Sequence, residues 1–300
     1  MVKTHFGIKD LENLSNVKAH TIRIWEKRYN LLEPDRTDTN IRKYDLDNLK
    51  KLLNITYLYN AGHKISKLAS LDSTQIQQLI RENITDLDSE YMLNVFKSAM
   101  FEFDGKLFDN TLEKMLEKKS LREVFSEVFV PLLNEMGILW HSGTLDPSHE
   151  HFISEKIKHS IIQQTNFLEK SNKKNISKNY VLYLPFEEVH EIGLLFANYE
   201  LLASGFNTIY LGPNIPQESL TNILQTKSEV VFITFFTVRP EHDKLENYLI
   251  DFENNMCSKA PCELWILGRR AEKSTKHFKN IKFFNDLQMF TNQIEKLSED

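Results

Sequence analysis

Cysteine is scarce in this chain, with only Cys257 and Cys262 among its 300 residues. Two thiols cannot build a disulfide framework, and neither has a Cys or His partner at zinc-finger spacing, so both are expected to be reduced and to carry no signal. Long hydrophobic runs are missing as well. No stretch of about 18 apolar residues occurs, which removes a transmembrane helix. The opening "MVKTHFGIKDLENL" lacks the basic, apolar and small-residue order of a signal peptide. A cytoplasmic protein with no membrane partner is the expectation. A Walker loop, a G-x-G-x-x-G fingerprint and a nucleophile–base pair are also lacking, which argues against an enzyme. Nor is there a surplus of positive charge. A net charge of −5 excludes a protein that coats nucleic acid or an anionic membrane with its whole surface. The charge is uneven, however, because residues 1–72 hold about 13 Lys and Arg against about 9 Asp and Glu.

What the sequence does contain falls into three regions. Residues 5–70 read as short helices broken by turns, with Ile8, Leu11 and Leu14 on one face and Ile22 and Trp25 on the next element. From Ser73 to about Lys170 apolar residues recur at helical spacing, as in Met92, Val95, Phe96 and Ala99, then Val124, Phe125, Val128, Phe129 and Leu132. That pattern predicts a bundle of about four helices. "KSNKKNISKN", residues 170–179, has no apolar face and reads as a linker. Residues 180–297 alternate strand-length apolar runs ("YVLYLP", "TIYLG", "VVFITFF", "ELWILG") with helical stretches, including ones near 217–226 and 241–256. Such alternation predicts a parallel sheet covered on both faces, with ligands bound beyond the carboxyl ends of the strands. The expected fold is multi-domain, α followed by α/β. It has a winged helix-turn-helix in 1–72, a four-helix bundle in 73–169, the linker 170–179 and a Rossmann-like parallel α/β sheet in 180–300.

In "IKDLENLSNVKAHTIRIWEKRYNLLEPDRTDTNIRKYD" a helix through Leu14, a turn at Ser15–Asn16 and a second helix from about Lys18 have helix-turn-helix geometry. The second helix offers Lys18, His20, Thr21, Arg23, Lys27 and Arg28, donors suited to base edges and phosphates, while Ile22 and Trp25 face inward. Pro34 ends it, and Arg36, Arg42 and Lys43 flank a polar tip that reads as a β-wing. Charge on a helix face alone fits a solvated amphipathic pair with no DNA partner. Order and spacing decide the matter. The string Thr21-Ile22-Arg23-x-Trp25-Glu26, then Leu31-Leu32-x-Pro34-x-Arg36-Thr37, then Arg42-x-Tyr44 resembles the MerR family of winged helix-turn-helix regulators over about the first 70 residues. The resemblance implies a dimer on a near-palindromic double-stranded DNA operator, with RNA polymerase as a further partner. It also implies Thr21, Arg23 and Tyr44 near phosphates and Lys18 and His20 near bases. Asn30 stands where the family commonly has Gly, and Asn also tolerates positive φ.

After the first strand of the last region, His190 has Glu188 two residues before it and Gly193 three after it, where a helix begins. An acidic residue there can orient the imidazole and raise the basicity of its other nitrogen toward a metal. Gly193 would let a flat ligand approach closely. By spacing alone a surface His in a βα-loop fits equally well. The pattern Glu188-x-His190-x-x-Gly193, with "SGFNTIYLG" downstream, resembles the signature of cobalamin-binding domains. The resemblance implies that His190 is the lower axial ligand of cobalt.

Upstream, Trp140-His141 is followed after nine residues by Glu150-His151. This spacing resembles the W-x9-E-H motif of the adenosylcobalamin-dependent, light-sensing repressors of the CarH and LitR type. It implies that Trp140 covers the upper face of the corrin and that His141 is an upper axial ligand once light removes the adenosyl group. It further implies a homo-oligomer, dimer or tetramer, whose assembly follows the ligand. Other readings stand beside it: a core Trp, a helix N-terminus capped by Asp146 and Pro147, or a zinc site.

The chain departs from this pattern at two places. Cobalamin domains commonly have a Ser-x-Leu-like step after the third strand and a Gly-Gly pair after the fourth, so that the nucleotide tail slides between backbone segments. Here the stretches are "ITFFT", with Thr234 taken for the Ser and Phe236 narrowing the channel, and "ILGRRA", with Gly268 followed by Arg269. Either the tail binds in a modified way, or Arg269 contacts a phosphate of the tail, or a regulator has lost cobalamin, kept the architecture and responds to another ligand or a protein partner. A corrinoid carrier in methyl transfer, a further possibility, has no use for a winged helix.

Overall fold

The computed structural model describes residues 5–83, 88–169, 178–268 and 277–299. The chain divides into two compact units, Met1–Lys156 and Ile157–Asp300. Of the expected linker, residues 170–177 lie outside the described residues, as does Arg269. Among the described residues no helix is long and apolar enough to cross a membrane.

The first unit opens with α1 (Ile8–Ser15) and α2 (Ala19–Tyr29). Between them Asn16 takes φ 56°, and after α2 Asn30 takes φ 51° while its N–H donates to the Glu26 carbonyl. Both positions need the left-handed region, which asparagine visits at low cost, so the missing glycine is replaced without strain. A two-stranded wing follows, β1 (Asp35–Arg36) antiparallel to β2 (Arg42–Lys43). Asp45 caps α3 (Leu46–Asn60) through Asn48 N–H at 2.8 Å. Then come α4 (Ile65–Leu68) and α5 (Ser73–Asn83).

The bundle is built from α6 (Ser89–Glu102), α7 (Gly105–Leu116), α8 (Leu121–Val124), a π-helical turn at Phe125–Phe129, α9 (Val130–His141) and the start of α10 (Pro147–Glu169), whose residues from Ile157 on belong to the second unit. The π turn has a local cause. Pro131 has no N–H to give to the α-helical ladder, and the Val130 N–H donates instead to Phe125 O, five residues back. Phe96, Phe108 and Phe129 meet at the bundle centre, with ring centroids 4.8 and 5.5 Å apart for Phe96 with each of the others. Asp146 caps α10, its carboxylate accepting from Ser148 N–H at 2.9 Å.

Helix α1 is held to the bundle by polar contacts inside this unit. The buried Thr144 hydroxyl, in the connection between α9 and α10, donates to Asp10 at 3.0 Å and accepts from Asn13 at 3.2 Å. Lys97, buried on α6 among Phe96, Ala99 and Met100, donates to the Leu14 carbonyl at 3.5 Å and pairs with Glu135 of α9. Phe6 meets Phe101 edge to face at 5.2 Å.

The second unit holds a five-stranded parallel sheet of β3 (Asn179–Pro185), β4 (Thr208–Ile215), β5 (Val230–Phe235), β6 (Cys262–Leu267) and β7 (Ile281–Phe284). The strands lie in the order β4-β3-β5-β6-β7. Connecting them are α11 (Ile192–Ala203), a 3-10 turn (Gln217–Leu220) with α12 (Thr221–Leu224), α13 (His242–Phe252) with a π-helical turn (Glu253–Cys257), and finally α14 (Leu287–Glu299). Alternation along the strands sends Val181, Tyr183, Phe232 and Leu264 to one core with α13, and Leu182, Val231, Ile233 and Trp265 to the other with α11 and α14. The last strand and helix were not among the expected elements. "IKFF" is short and puts Lys282 in the middle, so it does not read as a buried apolar run. Cys257 and Cys262 are free thiols, with their sulfurs 2.8 Å apart at the entry to β6.

Candidate functional site

The face of the first unit that could meet nucleic acid is formed by α2 and the wing. Lys18, His20, Arg23, Lys27, Arg28, Arg36 and Lys43 are exposed, and Thr21 and Arg42 are half-buried. Ile22 and Trp25 are buried, as the amphipathic spacing requires. Arg23, Lys27, Arg36 and Arg42 line an open cleft of about 730 Å³ between helix and wing. Glu26 fixes this geometry by accepting from Arg42 Nε at 2.9 Å and from the Tyr44 hydroxyl at 2.8 Å.

Tyr44 corrects an expectation. Its side chain is fully buried and its hydroxyl is engaged by Glu26, so it is not on the surface offered to a phosphate. Tyr44→Phe is expected to cost about 1.5–3 kcal/mol of stability, the range for a buried hydrogen bond to a charged group. DNA affinity, measured by anisotropy at equal folded fraction, should stay within about twofold. A tenfold loss would restore the phosphate role.

In the second unit the site lies at the carboxyl edge of β3, beside the point where the strand order reverses between β3 and β5. Glu188 is fully buried. One oxygen accepts from His190 Nδ1 at 2.6 Å and from the backbone N–H groups of Val189 at 3.0 Å and His190 at 3.1 Å. The other accepts from the N–H groups of Thr237 at 3.2 Å, Val238 at 2.7 Å and Arg239 at 2.8 Å. Glu188 thus ties the loop after β3 to the loop after β5. Burial pushes its carboxyl up, but the hydrogen bonds from His190 and from the Arg239, Val238 and His190 backbone outweigh it and bring the pKa down to about 2. An ionised carboxylate on Nδ1 makes Nδ1 the donor, so in the neutral ring Nε2 is the acceptor nitrogen. The imidazole itself is half exposed. Phe186, Val189 and Val238, all exposed, lie in the same two loops and give them an apolar surface.

Gly193, Thr234 and Gly268 are placed differently from expectation. The space in front of Gly193 is taken by the chain's own Phe235, since a Cβ there would lie 2.5 Å from Phe235 Cε2. Thr234 is fully buried on the Phe232 side of β5, and its hydroxyl has no hydrogen-bond partner among the described residues. The side chain that points between the two glycines is therefore Phe235, not Thr234 or Phe236. Strand alternation carries the signal that would have found it: Phe235 shares the face of Val231 and Ile233, which is the face toward α11.

The remaining candidates sit in the helical hairpin of α9 and α10. Trp140 is 49% exposed and Ile138 beside it 66% exposed, so the core reading of Trp140 fails. His141 and His151 are exposed and Glu150 is half-buried, accepting from Ser154 at 3.1 Å. The short connection 142–146 puts the Trp140–His141 and Glu150–His151 pairs at one end of the hairpin. His149, absent from the expected set, is the buried imidazole here and stacks on Phe103 at 4.7 Å. Among the described residues no group of three or more His, Cys, Asp or Glu is placed to hold a metal ion.

Residues 6–74 match the MerR HTH family of regulatory proteins, and residues 92–162 match a B12 binding domain. The chain is similar to the HTH-type transcriptional repressor CarH of Myxococcus xanthus, 27% identical over 251 residues that span 81% of this chain and 83% of the repressor. It is also similar to the repressor CarA of the same organism, 22% identical over 276 residues, 90% and 88% of the two chains. Among solved structures, the monomethylamine corrinoid protein of Methanosarcina barkeri shares the fold. That match has a TM-score of 0.55 at 11% identity and covers 70% of this chain and 98% of that one.

Proposed function

We propose that this chain, a MerR-type regulator carrying a B12-binding domain, is a DNA-binding transcriptional regulator that senses cobalamin and works without catalysing a reaction. The observation that carries the reading is a Glu188-oriented imidazole at the carboxyl edge of the sheet, in a chain that also bears a basic helix–wing face.

The residues suit the cofactor at one place and oppose it at another. At the surface they fit, because His190 offers Nε2 from a ring held by a buried carboxylate and the neighbouring Phe186, Val189 and Val238 suit an apolar macrocycle. In the interior they do not, because Phe235 fills the space between Gly193 and Gly268. His190 would hold the cobalt, with Glu188 keeping the ring oriented for it. Trp140, His141, Glu150 and His151 are what the hairpin would offer the cofactor, with His141 as a further nitrogen donor to cobalt. The adenosyl form supplies a light-sensitive cobalt–carbon bond when bound.

On the DNA side Arg23, Lys27, Arg28, Arg36, Arg42 and Lys43 neutralise phosphates, and Lys18 and His20 approach base edges, with Thr21 beside them. A dimeric head on a near-palindromic operator, assembled further through the sensor, gains avidity without new base contacts. We place the protein in the cytoplasm, with RNA polymerase as its functional neighbour. A second reading, a regulator that has exchanged its ligand, is favoured by the Phe235 ring.

The experiment is to purify the chain in darkness, add adenosylcobalamin, desalt, and record the absorption spectrum and size-exclusion profile before and after green light. A retained spectrum with imidazole ligation and a light-dependent size supports cobalamin photosensing. Loss on desalting of adenosylcobalamin and of a corrinoid without the nucleotide tail alike would favour the exchanged-ligand reading.

A further inference from the structure

Resting on the corrinoid reading above, we infer that Phe235 fills from within the slot a ligand tail would enter, so that this site selects a corrinoid lacking the nucleotide tail. The geometry is specific. A Cβ on Gly193 would lie 2.5 Å from Phe235 Cε2 and 2.6 Å from Cδ2, and a Cβ on Gly268 would lie 3.3 Å from Cε1 and 3.6 Å from Cδ1. Opposite edges of one ring thus abut the two glycines. The slot has the width of a single planar ring, and interior packing leaves no volume for a second.

The Gly268 side of the slot cannot retreat easily. Gly268 has φ +105°, and a Cβ there would also meet the Phe236 carbonyl at 2.7 Å. The backbone after Phe235 is pinned at Thr237, Val238 and Arg239 to the Glu188 carboxylate. The backbone therefore cannot shift without loosening the group that orients His190. The slot opens only if the Phe235 side chain rotates out and exposes more of its ring to water, which penalises a tailed ligand by at least about tenfold in affinity. His190 is half exposed, outside the slot, so coordination by its imidazole does not depend on that rotation.

The test uses the full chain as wild type, Phe235→Ala and His190→Ala, titrated with aquacobalamin and with aquacobinamide, which has no nucleotide. The readouts are the spectral shift on imidazole coordination and retention through desalting. Wild type is expected to hold aquacobinamide at least tenfold more tightly than aquacobalamin. Phe235→Ala should move that ratio at least tenfold toward aquacobalamin, and His190→Ala should abolish the shift with both. If wild type binds aquacobalamin as tightly as aquacobinamide or more so, while His190→Ala abolishes both, the corrinoid reading stands and the role of Phe235 is overturned. If neither probe coordinates to wild type or to Phe235→Ala, the corrinoid reading fails and this inference with it. Should Phe235→Ala not fold, the wild-type ratio and the smaller change Phe235→Leu decide the question.

Discussion

Replacing Glu188 by alanine is expected to lower the stability of the sheet unit by about 3–5 kcal/mol, the range for removing one side of a buried charged network. The carboxylate is fully buried and takes five backbone N–H groups and one imidazole, so its loss strands donors in two loops at once. The penalty is less than the sum of six lost bonds because Thr237 and Val238 are exposed and water reaches them. Glu188→Gln keeps the shape but brings an amide that cannot accept on both sides. It should cost less while still disturbing the His190 tautomer. Hydrogen exchange in β3 and β5 is the suitable measure, since a chain of two units need not unfold in one step. Wild-type protection in Glu188→Ala would show that the loops hold themselves.

The same residue sets a pH dependence. Its folded pKa of about 2 lies below the unfolded value of 4.5, so its contribution is fully present above about 4.5 and is lost as pH falls through 2. The shift corresponds to about 3 kcal/mol, so exchange protection in β3 should decline between those limits in wild type, and the decline should be absent in Glu188→Gln.

Lys97 carries the second large effect. Lys97→Ala is expected to cost about 2–4 kcal/mol, since it removes a buried stem from the Phe96–Met100 face and the donor to Leu14 O. The estimate stays below that of a sealed ion pair because the Glu135 side chain is 37% exposed and can be hydrated. Lys97→Met fills the volume without the charge and should remain within about 1 kcal/mol of wild type in bundle stability. Its α1 amides should nevertheless exchange faster. Equal α1 protection in both variants and wild type would make Lys97 a residue of the bundle alone.

The sequence was informative wherever function follows from short spacing. Glu188 and His190 lie two residues apart in one loop, and the Asp146–Pro147 start of α10 is written in adjacent residues, so both were readable. Lys97 was readable in principle, as a lysine on the same helical face as Phe96 and Met100. Phe235 was not, because its setting is created by Gly193 and Gly268, which only the folded sheet brings to opposite edges of one ring. Tyr44 shows the complementary failure. Its pattern implied a phosphate contact, while Glu26, eighteen positions earlier in the chain, takes the hydroxyl inward. The strand β7 was hidden by Lys282, whose ammonium leaves the sheet edge to pair with Glu263 at 2.8 Å.

Thr144 has a quantitative consequence for how the helix-turn-helix is governed. Its hydroxyl joins the connection that follows Trp140 to Asp10 and Asn13 of α1. One hydrogen bond to a carboxylate and one between neutral groups contribute about 2–4 kcal/mol together. Driving a two-state equilibrium from 1:99 to 99:1 takes about 5.5 kcal/mol. The Thr144 contacts therefore hold α1 against the hairpin connection with less than the free energy needed to throw a helix from one state to the other.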